Sequence, residues 1–470
     1  MTSHSIRVSD QSATSPSRAS FLRWAIAVLF LGLIGLLWWA LASAPTYGNV
    51  FGLYSPRKFI FLIAASYALV WGIYFLLGRE TPLKKMAKCV LTTVSFLILF
   101  AMLEAPAVLG LIDYSKIISP PAEINITRIK PWDNPANILD KELMHIHPPN
   151  RRIVGETTGD IVPWLGIPTD RRYQIDVQYD SNGFRNDHDI EQAPLVVIGD
   201  SFIEGVLVPQ ADLVSSRLSR LLGTEVANLG QSGYGPQQEL ATLRRYAVGL
   251  RPRVVLWFFF EGNDLLDVPR YEEFVRNWES ISSRRDSWKQ RSFVMNGLHT
   301  LAGFTSPTLQ PNEVEARRRS CQIQTGPGGE TETLYFAYPG VPLSEEELSS
   351  LATAQNCMLD ARKVSRDNGA RLVIIYVPNK FRVYCDSCNY TDDGYGKLWK
   401  PNDLPSRFET WCKLNEIEFL DLTPALKESA SRGELVYFTD DGHWTPKGHE
   451  IVARTVSQLV TQNGWLETPR

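Results

Sequence analysis

The stretch LVVIGDSF at residues 195–202 decides how the rest of the chain is interpreted. Its first four residues are apolar and mostly β-branched, which is typical of a strand buried in a parallel sheet. Gly199, Asp200 and Ser201 follow, and the glycine permits a tight turn at that point. Reactive groups of open α/β sheets gather beyond the carboxyl ends of the strands, so Ser201 is well placed to be a nucleophile. A serine at such a turn can equally cap the helix that follows.

Apolar runs alternate with helical stretches through the rest of the C-terminal part of the chain. This alternation predicts an α/β fold in which a parallel sheet carries helices on both faces. We predict strands at residues 195–198, 225–227, 254–260, 371–377 and 417–420. We predict helices at about residues 213–222, 237–246, 344–368 and 447–462.

Three later segments supply the other groups that acyl transfer needs. A glycine-rich loop at residues 228–235 follows the second strand, and glycines let backbone N–H groups point into a site. The apolar strand at 254–260 ends on a polar tip, residues 261–264, that contains an asparagine. A polar turn at 440–449 contains a histidine after two aspartates and a glycine. Serine then serves as nucleophile, histidine as base and aspartate as its orienting group, with glycine N–H and asparagine amide groups as donors to an oxyanion.

Four such motifs in this order resemble those of the SGNH (GDSL-type) hydrolase superfamily, over roughly residues 170–465. The resemblance implies a three-layer, flavodoxin-like parallel sheet, with Ser201 as the nucleophile and His443 as the general base. It also implies an oxyanion hole formed by the N–H of Ser201, the N–H of Gly233 and the side-chain amide of Asn263.

Smaller features extend this resemblance and depart from it. Residues 179–185 (YDSNGFR) are similar to the β-hairpin that precedes the GDS strand in many bacterial members. Gly233 is preferred over Gly230 because the corresponding family glycine follows a small residue. Glu261 departs from the pattern, since it stands where the family's Gly-x-Asn-Asp motif has glycine, but it leaves the amide donor intact.

Either Asp440 or Asp441 could supply the carboxylate that orients the histidine. The Asp-x-x-His spacing of most of the superfamily selects Asp440, because a turn brings positions three apart onto one face. The Asp-x-His-Trp form is similar to the alginate O-acetyltransferase branch and selects Asp441. Residues 378–384 (PNKFRVY) also resemble that branch, although it places its Asp-x-His before the serine, whereas here His443 comes last. The spacing and the superfamily majority favour Asp440.

The N-terminal quarter of the chain differs sharply from the rest in composition. It contains three apolar stretches, at residues 21–43, 59–77 and 90–112. The first two carry almost no internal charge and are long enough to span about 30 Å of hydrocarbon. A cleaved signal peptide is the alternative for the first stretch, but its apolar run is too long and two more follow.

Basic residues flank these stretches unevenly. The N-terminus and the connection between the second and third stretches are rich in basic residues, namely Arg7, Arg18, Arg23, Arg79, Lys84, Lys85 and Lys88. The connection between the first and second stretches contains only Arg57 and Lys58. Positive-inside bias therefore places the N-terminus and the second connection in the cytoplasm, and three crossings put everything after about residue 113 outside. We expect a multi-pass protein of the cell membrane with an extracytoplasmic catalytic domain. Glu104 either lies at the outer headgroup region or is a functional intramembrane acid.

These features predict the domain organisation. We predict a membrane anchor with three transmembrane helices at 1–115, a proline-rich linker and cap at 116–170, and an SGNH hydrolase-like domain at 171–470 with an insertion at about 265–340. The insertion shows little periodicity and contains basic clusters at 284–285 and 317–319. It is either a solvated surface excursion or a lid or groove wall that recognises an anionic or sugar-like substrate.

Neither the cysteines nor the histidines form a convincing set of metal ligands. Cys385 and Cys388 form a Cys-x-x-Cys pair with no second pair, which favours a structural disulfide over a redox or zinc half-site. His145 and His147 suit one face of a strand, but no third ligand accompanies them. We therefore assign no metal and expect no cofactor.

Three functions fit these motifs, and an esterase is the leading interpretation. In an esterase, water releases an acyl group, most simply acetyl, from Ser201. An O-acyltransferase would instead pass that group to a hydroxyl of a cell-surface polysaccharide, with a membrane partner as acyl donor. The third candidate is a non-catalytic glycan-binding or assembly component. The substrate would be an acylated glycan or lipid, and a formal net charge of −3 without a nucleic-acid module gives no support to a nucleic-acid partner.

Overall fold

The computed structural model describes residues 18–43, 50–51, 53–118, 130–134, 136–167, 169–285, 288–305, 312–326 and 328–467. Arg7 and the first part of the predicted linker, residues 119–129, lie outside the described residues. The chain divides into two compact units, which we call the N-terminal unit (1–120 with 287–309) and the sheet unit (121–286 with 310–470). The domain bounds suggested by composition stay a prediction.

The strands lie in the sheet unit. They are β1 Ile138–Asp140, β2 Met144–Ile146, β3 Arg152–Thr157, β4 Tyr173–Gln178, β5 Leu195–Gly199, β6 Val226–Gly230, β7 Val254–Phe260, β8 Ser320–Thr325, β9 Glu330–Tyr335, β10 Arg371–Val377 and β11 Glu418–Asp421.

The helices occur in both units. They are α1 Arg18–Leu41, α2 Pro56–Leu77, α3 Pro82–Val108, α4 Ser115–Ile118, α5 Ile161–Leu165, α6 Ser201–Glu204, α7 Val214–Leu222, α8 Pro236–Thr242, α9 Asp264–Arg276, α10 Trp278–Arg285, α11 Trp288–Arg291, α12 Phe293–Thr305, α13 Glu313–Arg318, α14 Glu345–Asp367, α15 Lys380–Tyr384, α16 Leu404–Leu414, α17 Thr423–Ser431 and α18 Pro446–Gln462.

A parallel sheet of five strands in the order β11-β10-β7-β5-β6 forms the centre of the sheet unit. Successive side chains of a strand point to opposite faces, so the fully buried β7 serves two apolar cores. Leu256 and Phe258 pack into one core, and Val255 and Trp257 pack into the other. The predicted α/β class, with helices on both faces of a parallel sheet, is confirmed.

Close backbone approach shapes the carboxyl edge of this sheet. A Cβ atom on Gly230 would lie 2.6 Å from the Cβ of Ile203, and one on Gly199 would lie 2.8 Å from the Cγ1 of the same side chain. Only glycine fits at these strand ends, because α6 folds back directly over them. The packing holds the first turn of α6 against the ends of β5 and β6.

The N-terminal unit contains helices that are long and apolar enough to cross a membrane. Among the described residues three helices meet this description, within Arg23–Leu41, Pro56–Leu77 and Pro82–Val108. Glu104 in α3 contacts another segment of the same unit. Its Oε1 accepts hydrogen bonds from the Ser292 hydroxyl at 2.9 Å and from the Val294 N–H at 2.7 Å. Glu104 therefore caps the start of α12, an arrangement that neither sequence interpretation anticipated.

The structure adds detail where the sequence patterns were weak. The insertion shows little periodicity in sequence, yet residues 264–340 include helices α9 to α13 and the antiparallel pair β8–β9. Its helices are short and gain stability from tertiary packing, as where Phe274 stacks against Trp132 and Trp278. Residues 179–185 form a turn after β4 rather than a hairpin.

Candidate active site

Ser201 and His443 meet at the carboxyl edge of the sheet. Ser201 begins α6 immediately after β5, and the carboxylate of the preceding Asp200 caps this helix by accepting the Phe202 N–H at 2.9 Å. His443 lies in the turn before α18, and its Nε2 is 2.7 Å from the Ser201 Oγ. This distance allows the imidazole to accept the serine proton.

Asp441, and not the favoured Asp440, contacts the other ring nitrogen of His443. Oδ1 of Asp441 lies 2.7 Å from Nδ1 and also accepts the His443 N–H at 2.9 Å. Asp440 instead accepts a hydrogen bond from the Tyr173 hydroxyl. The two-residue spacing suffices because the turn curls the Asp441 side chain back over the backbone of the histidine. The geometry thus corrects the preference for Asp440.

A third carboxylate, Asp160, supports the same turn. The Asp160 N–H donates to Oδ2 of Asp441 at 2.8 Å, and its Oδ1 accepts the Gly442 N–H at 2.7 Å. Its Oδ2 lies 3.9 Å from Nδ1 of His443. Gly159 makes this approach possible, since a Cβ there would lie 2.1 Å from the carbonyl oxygen of Asp440. Sequence reasoning missed Asp160, which lies 281 residues before Asp441 and carries no motif of its own.

Burial and charge set the protonation of this cluster. Burial raises the pKa of Asp160 to about 7, and the nearby charge of Asp441 adds to the shift. Burial would raise the pKa of Asp441 too, but the charge and hydrogen bonds of His443 hold it below its usual range. Burial opposes the charged form of His443, yet Asp441 raises the pKa of the imidazole above its usual value. The pair therefore favours an ionised aspartate beside the histidine.

Gly233 and Asn263 line the same cavity as Ser201, as an oxyanion hole requires. Gly233 has a left-handed backbone with φ of 79°, which turns the loop after β6 toward the serine. The Asn263 Nδ2 donates to Oδ2 of Asp267 at 2.7 Å. That bond fixes which end of the amide is the donor. The roles of these residues remain a prediction.

Buried side chains hold the oxyanion loop from behind. The Glu204 carboxylate accepts the Ser232 N–H at 2.6 Å and contacts Nε2 of His147 at 3.0 Å. Nε2 of His145 lies 3.1 Å from the Ser232 carbonyl oxygen, to which it donates. The Tyr234 hydroxyl donates to the His145 carbonyl at 2.7 Å. His145 thus contacts the loop that ends at Gly233 directly, and His147 is linked to it through Glu204. Sequence reasoning had no signal for Glu204.

The departure at Glu261 also has a structural role. Its carboxylate pairs with Nε of the buried Arg382 at 2.8 and 2.9 Å and accepts the Asn379 N–H at 2.9 Å. Lys380 of the same segment donates to the carbonyl oxygens of Tyr335 at 2.9 Å and Thr439 at 3.2 Å. Residues 378–384 therefore join the end of β7 to the turn that carries His443.

The triad opens into a cavity of about 770 Å³. This volume falls within the range of roughly 300–1,000 Å³ typical of small-molecule sites. Part of its wall comes from the insertion, which supplies Leu266, Arg270, Glu273 and Tyr338. The insertion is thus a groove wall over this stretch.

One group of described residues, Asp160, Asp441 and His443, has ligand atoms within 4.8 Å of one another and could hold a metal by distance alone. Both ring nitrogens of His443 already face protein partners, Asp441 and Ser201, so the group is better described as the triad with its support. The Cys-x-x-Cys pair is not bridged internally, because Cys388 is disulfide-bonded to Cys321 and Cys385 is a free thiol.

The C-terminal part of the chain is similar to a known protein family. Residues 340–470, which include α15, Asp441 and His443, match the family described as "SGNH hydrolase-like domain, acetyltransferase AlgX". This part of the chain is similar to an SGNH hydrolase-like domain. The resemblance to the SGNH superfamily, with features of the alginate O-acetyltransferase branch, is confirmed.

A curated protein similar to this chain is the Pseudomonas putida protein named "Probable alginate O-acetylase AlgJ", which is 27% identical over 146 residues. The match covers 27% of this chain and 36% of the relative, so the chain spans about a third of the length of the relative.

Solved structures similar to this chain include a GDSL-like lipase from Bacteroides thetaiotaomicron, at 13% identity over 57% of this chain and 88% of that one, with a TM-score of 0.29. An acetylxylan esterase from Geobacillus stearothermophilus matches at 12% identity over 58% of this chain and 96% of that one, with a TM-score of 0.30. Similarity at this level carries no argument about substrate.

Proposed function

We propose that this protein is a membrane-anchored enzyme that moves O-acyl groups, most simply acetyl, through a covalent acyl-Ser201 intermediate. The observation that carries the proposal is the continuous chain from Ser201 Oγ through both nitrogens of His443 to Asp441, with 2.7 Å at each contact. A complete and correctly spaced triad supports an enzyme over a non-catalytic glycan-binding component.

The chemistry follows from this chain of contacts. Nε2 of His443 takes the Ser201 proton as Oγ attacks the carbonyl carbon of an acyl ester. The oxyanion accepts hydrogen bonds from the N–H groups of Ser201 and Gly233 and from the Asn263 amide. The tetrahedral intermediate then breaks its bond to the alcohol oxygen, which leaves with the proton from His443. The acyl group remains on Ser201 as an ester.

Transfer of this acyl group to a sugar hydroxyl is the activity that the comparisons favour. The matching family is described as an acetyltransferase and the curated relative is named as an O-acetylase. In this second step His443 removes the proton of the acceptor hydroxyl as the hydroxyl oxygen attacks the acyl carbon of acyl-Ser201. The bond between that carbon and Oγ then breaks, and His443 returns the proton to Oγ, which regenerates the serine. Hydrolysis, with water in place of the sugar, is the second candidate, since the same groups serve both acceptors.

We place the sheet unit outside the cytoplasm. Arg79 lies between α2 and α3, and Lys84, Lys85 and Lys88 lie in the first two turns of α3. This excess of positive charge at one end of the two helices favours the cytoplasmic side. The disulfide between Cys321 and Cys388 suits an oxidising compartment. An acylated glycan or lipid at the cell surface is then the accessible substrate class, and a membrane partner is the source of the acyl group.

The test is to incubate the full-length protein in detergent micelles with p-nitrophenyl acetate, with and without short oligosaccharides. We expect nitrophenol release to increase with the acceptor and acetylated sugar to appear by mass spectrometry. Free acetate with unmodified acceptor would show a hydrolase instead. Activity no higher than that of the Ser201→Ala variant would overturn the proposal.

A further inference from the structure

An exposed indole stands beside the triad. Trp164 lies on α5, one helical turn after Asp160, so the two residues share a face of the helix. Its neighbours Ile161, Val162 and Leu165 are buried, whereas Trp164 is 52% exposed and lines the cavity that contains Ser201. A large apolar surface left open at a reactive centre indicates contact with a ligand.

The indole is held in place by an arginine. The Arg319 guanidinium carbon lies 4.9 Å from the centroid of the Trp164 ring. Arg319 is itself fixed by the Glu315 carboxylate at 2.7 Å and by the Ala337 carbonyl at 3.1 Å. The ring is therefore oriented before a ligand arrives, which lowers the entropy lost on binding.

The cations around the cavity are already neutralised. Among the described residues that line it, Lys130 pairs with Glu273 at 2.6 Å and Arg270 pairs with the buried Asp267 at 2.7 Å. The ionised Asp441 adds negative charge at the same cavity. An anionic ligand would have to displace these ion pairs and approach the carboxylates, whereas an uncharged one would not.

Arginines of the basic clusters in the insertion also form ion pairs with carboxylates. Arg317 and Arg318 both pair with Asp393, at 2.7 and 3.3 Å, and Arg284 pairs with Asp133 at 3.0 Å. The sequence suggested that these arginines could recognise an anionic substrate. Each of these three arginines has a carboxylate partner, although Arg317 and Arg318 share the single charge of Asp393. These ion pairs weaken the case for an anionic substrate.

We infer that Trp164, held by Arg319, is the platform for an uncharged sugar ring of the glycan that exchanges its acyl group with Ser201. This inference rests on the proposed function and names its substrate class. A pyranose presents an apolar face of C–H groups and an edge of hydroxyls. The face packs on the indole, and the edge carries the reacting oxygen toward the Ser201–His443 pair.

The test uses the full-length protein in detergent with two acetylated polymers, neutral xylan and anionic polygalacturonate. Trp164→Ala should raise KM for acetylated xylan roughly tenfold, which corresponds to about 1.4 kcal/mol of lost packing on the indole, with a smaller change in kcat. Trp164→Phe should recover most of the affinity. Wild-type turnover of xylan should exceed that of the polyanion and change little with salt.

Trp465→Ala is the matched control, since that indole also stacks on an arginine, Arg371, at 5.2 Å but does not line the cavity. It should leave KM for xylan unchanged. Equal KM values for Trp164→Ala and Trp465→Ala, or a preference for polygalacturonate, would overturn the sugar platform alone. A wild-type protein without activity on p-nitrophenyl acetate would instead overturn the proposed function.

Discussion

His443 lies between Ser201 and Asp441, so its protonation state controls whether the serine can be activated. Asp441 raises the pKa of the imidazole, and only the neutral ring can accept the serine proton. The rate should therefore rise as the pH increases through this raised pKa. We expect the midpoint of kcat/KM against pH to lie above the value of about 6.5 for an unperturbed histidine.

Substitution of the two neighbouring aspartates separates their roles. Asp441→Asn removes the charge that raises the pKa of His443, so the midpoint should fall and the maximal rate should drop by roughly 10⁴-fold. Asp440→Asn should affect the rate far less, because its carboxylate contacts Tyr173. The measurement is a pH profile of aryl acetate cleavage for both variants. Equal losses would contradict the assignment of Asp441.

Asn263 should act in the transition state and not in substrate binding. Asn263→Ala removes one donor to the oxyanion, so we expect kcat to fall roughly a hundredfold or more with little change in KM. Steady-state kinetics on an aryl acetate measure both constants. A variant in which only KM rises would identify Asn263 as a substrate contact.

Sequence motifs were sufficient to predict the positions of some residues of the site but not of others. Ser201 and His443 each stand in a recognisable motif next to a strand or helix, and the fold brings them to 2.7 Å. The choice between Asp440 and Asp441 depends on how the turn curls, which spacing does not determine. Asp160 reaches the site only through tertiary structure, as part of a segment that was assigned to linker and cap.

At the scale of elements, the loop after β6 owes its position to Glu204. Its buried carboxylate accepts a hydrogen bond from the Ser232 N–H. Burial would raise the pKa of Glu204, but the charge of His147 and the hydrogen bonds to the carboxylate hold that pKa below its usual range. Glu204→Gln should shift Gly233 and lower kcat by roughly tenfold to a hundredfold, because small displacements of a donor are costly. Glu191→Gln, at an exposed position, is the control.

The same variant makes a pH-dependent prediction about stability. A carboxylate with a lowered pKa stabilises the fold above its unfolded pKa of about 4.3, and this contribution is lost as the pH falls through the folded value. The difference in Tm between wild type and Glu204→Gln should therefore be larger at neutral pH than in acid. A difference independent of pH would show that the ionised carboxylate is not what stabilises the loop.

Elements with strong patterns were predicted well. The strands at 254–260 and 371–377 have the predicted bounds, since long β-branched and aromatic runs leave little ambiguity. The helices of the insertion were not predicted, because they are short and mix polar and apolar residues without clear amphipathicity. Their stability comes from packing against distant segments such as Trp132.

At the scale of the whole molecule, residues 287–309 belong to the N-terminal unit although they lie within the insertion of the sheet unit. Sequence patterns did not reveal this exchange, because contacts such as that of Glu104 with Val294 join positions 190 residues apart. Charge bias does make a prediction about topology. Reporters that require an oxidising exterior should be active when fused after Lys116 and inactive near Lys85, and the opposite pattern would remove the cell-surface substrate.

The most direct test of the central claim is to look for the acyl group on Ser201 itself. The full-length protein is mixed briefly with p-nitrophenyl acetate, quenched in acid and analysed by mass spectrometry after proteolysis. In the wild type we predict one added acetyl group on the peptide that contains Ser201. The acetyl group should be absent from Ser201→Ala and should form much more slowly in Asp441→Asn. Turnover of the ester by the wild type without acetylation of Ser201 at any time point would contradict the account.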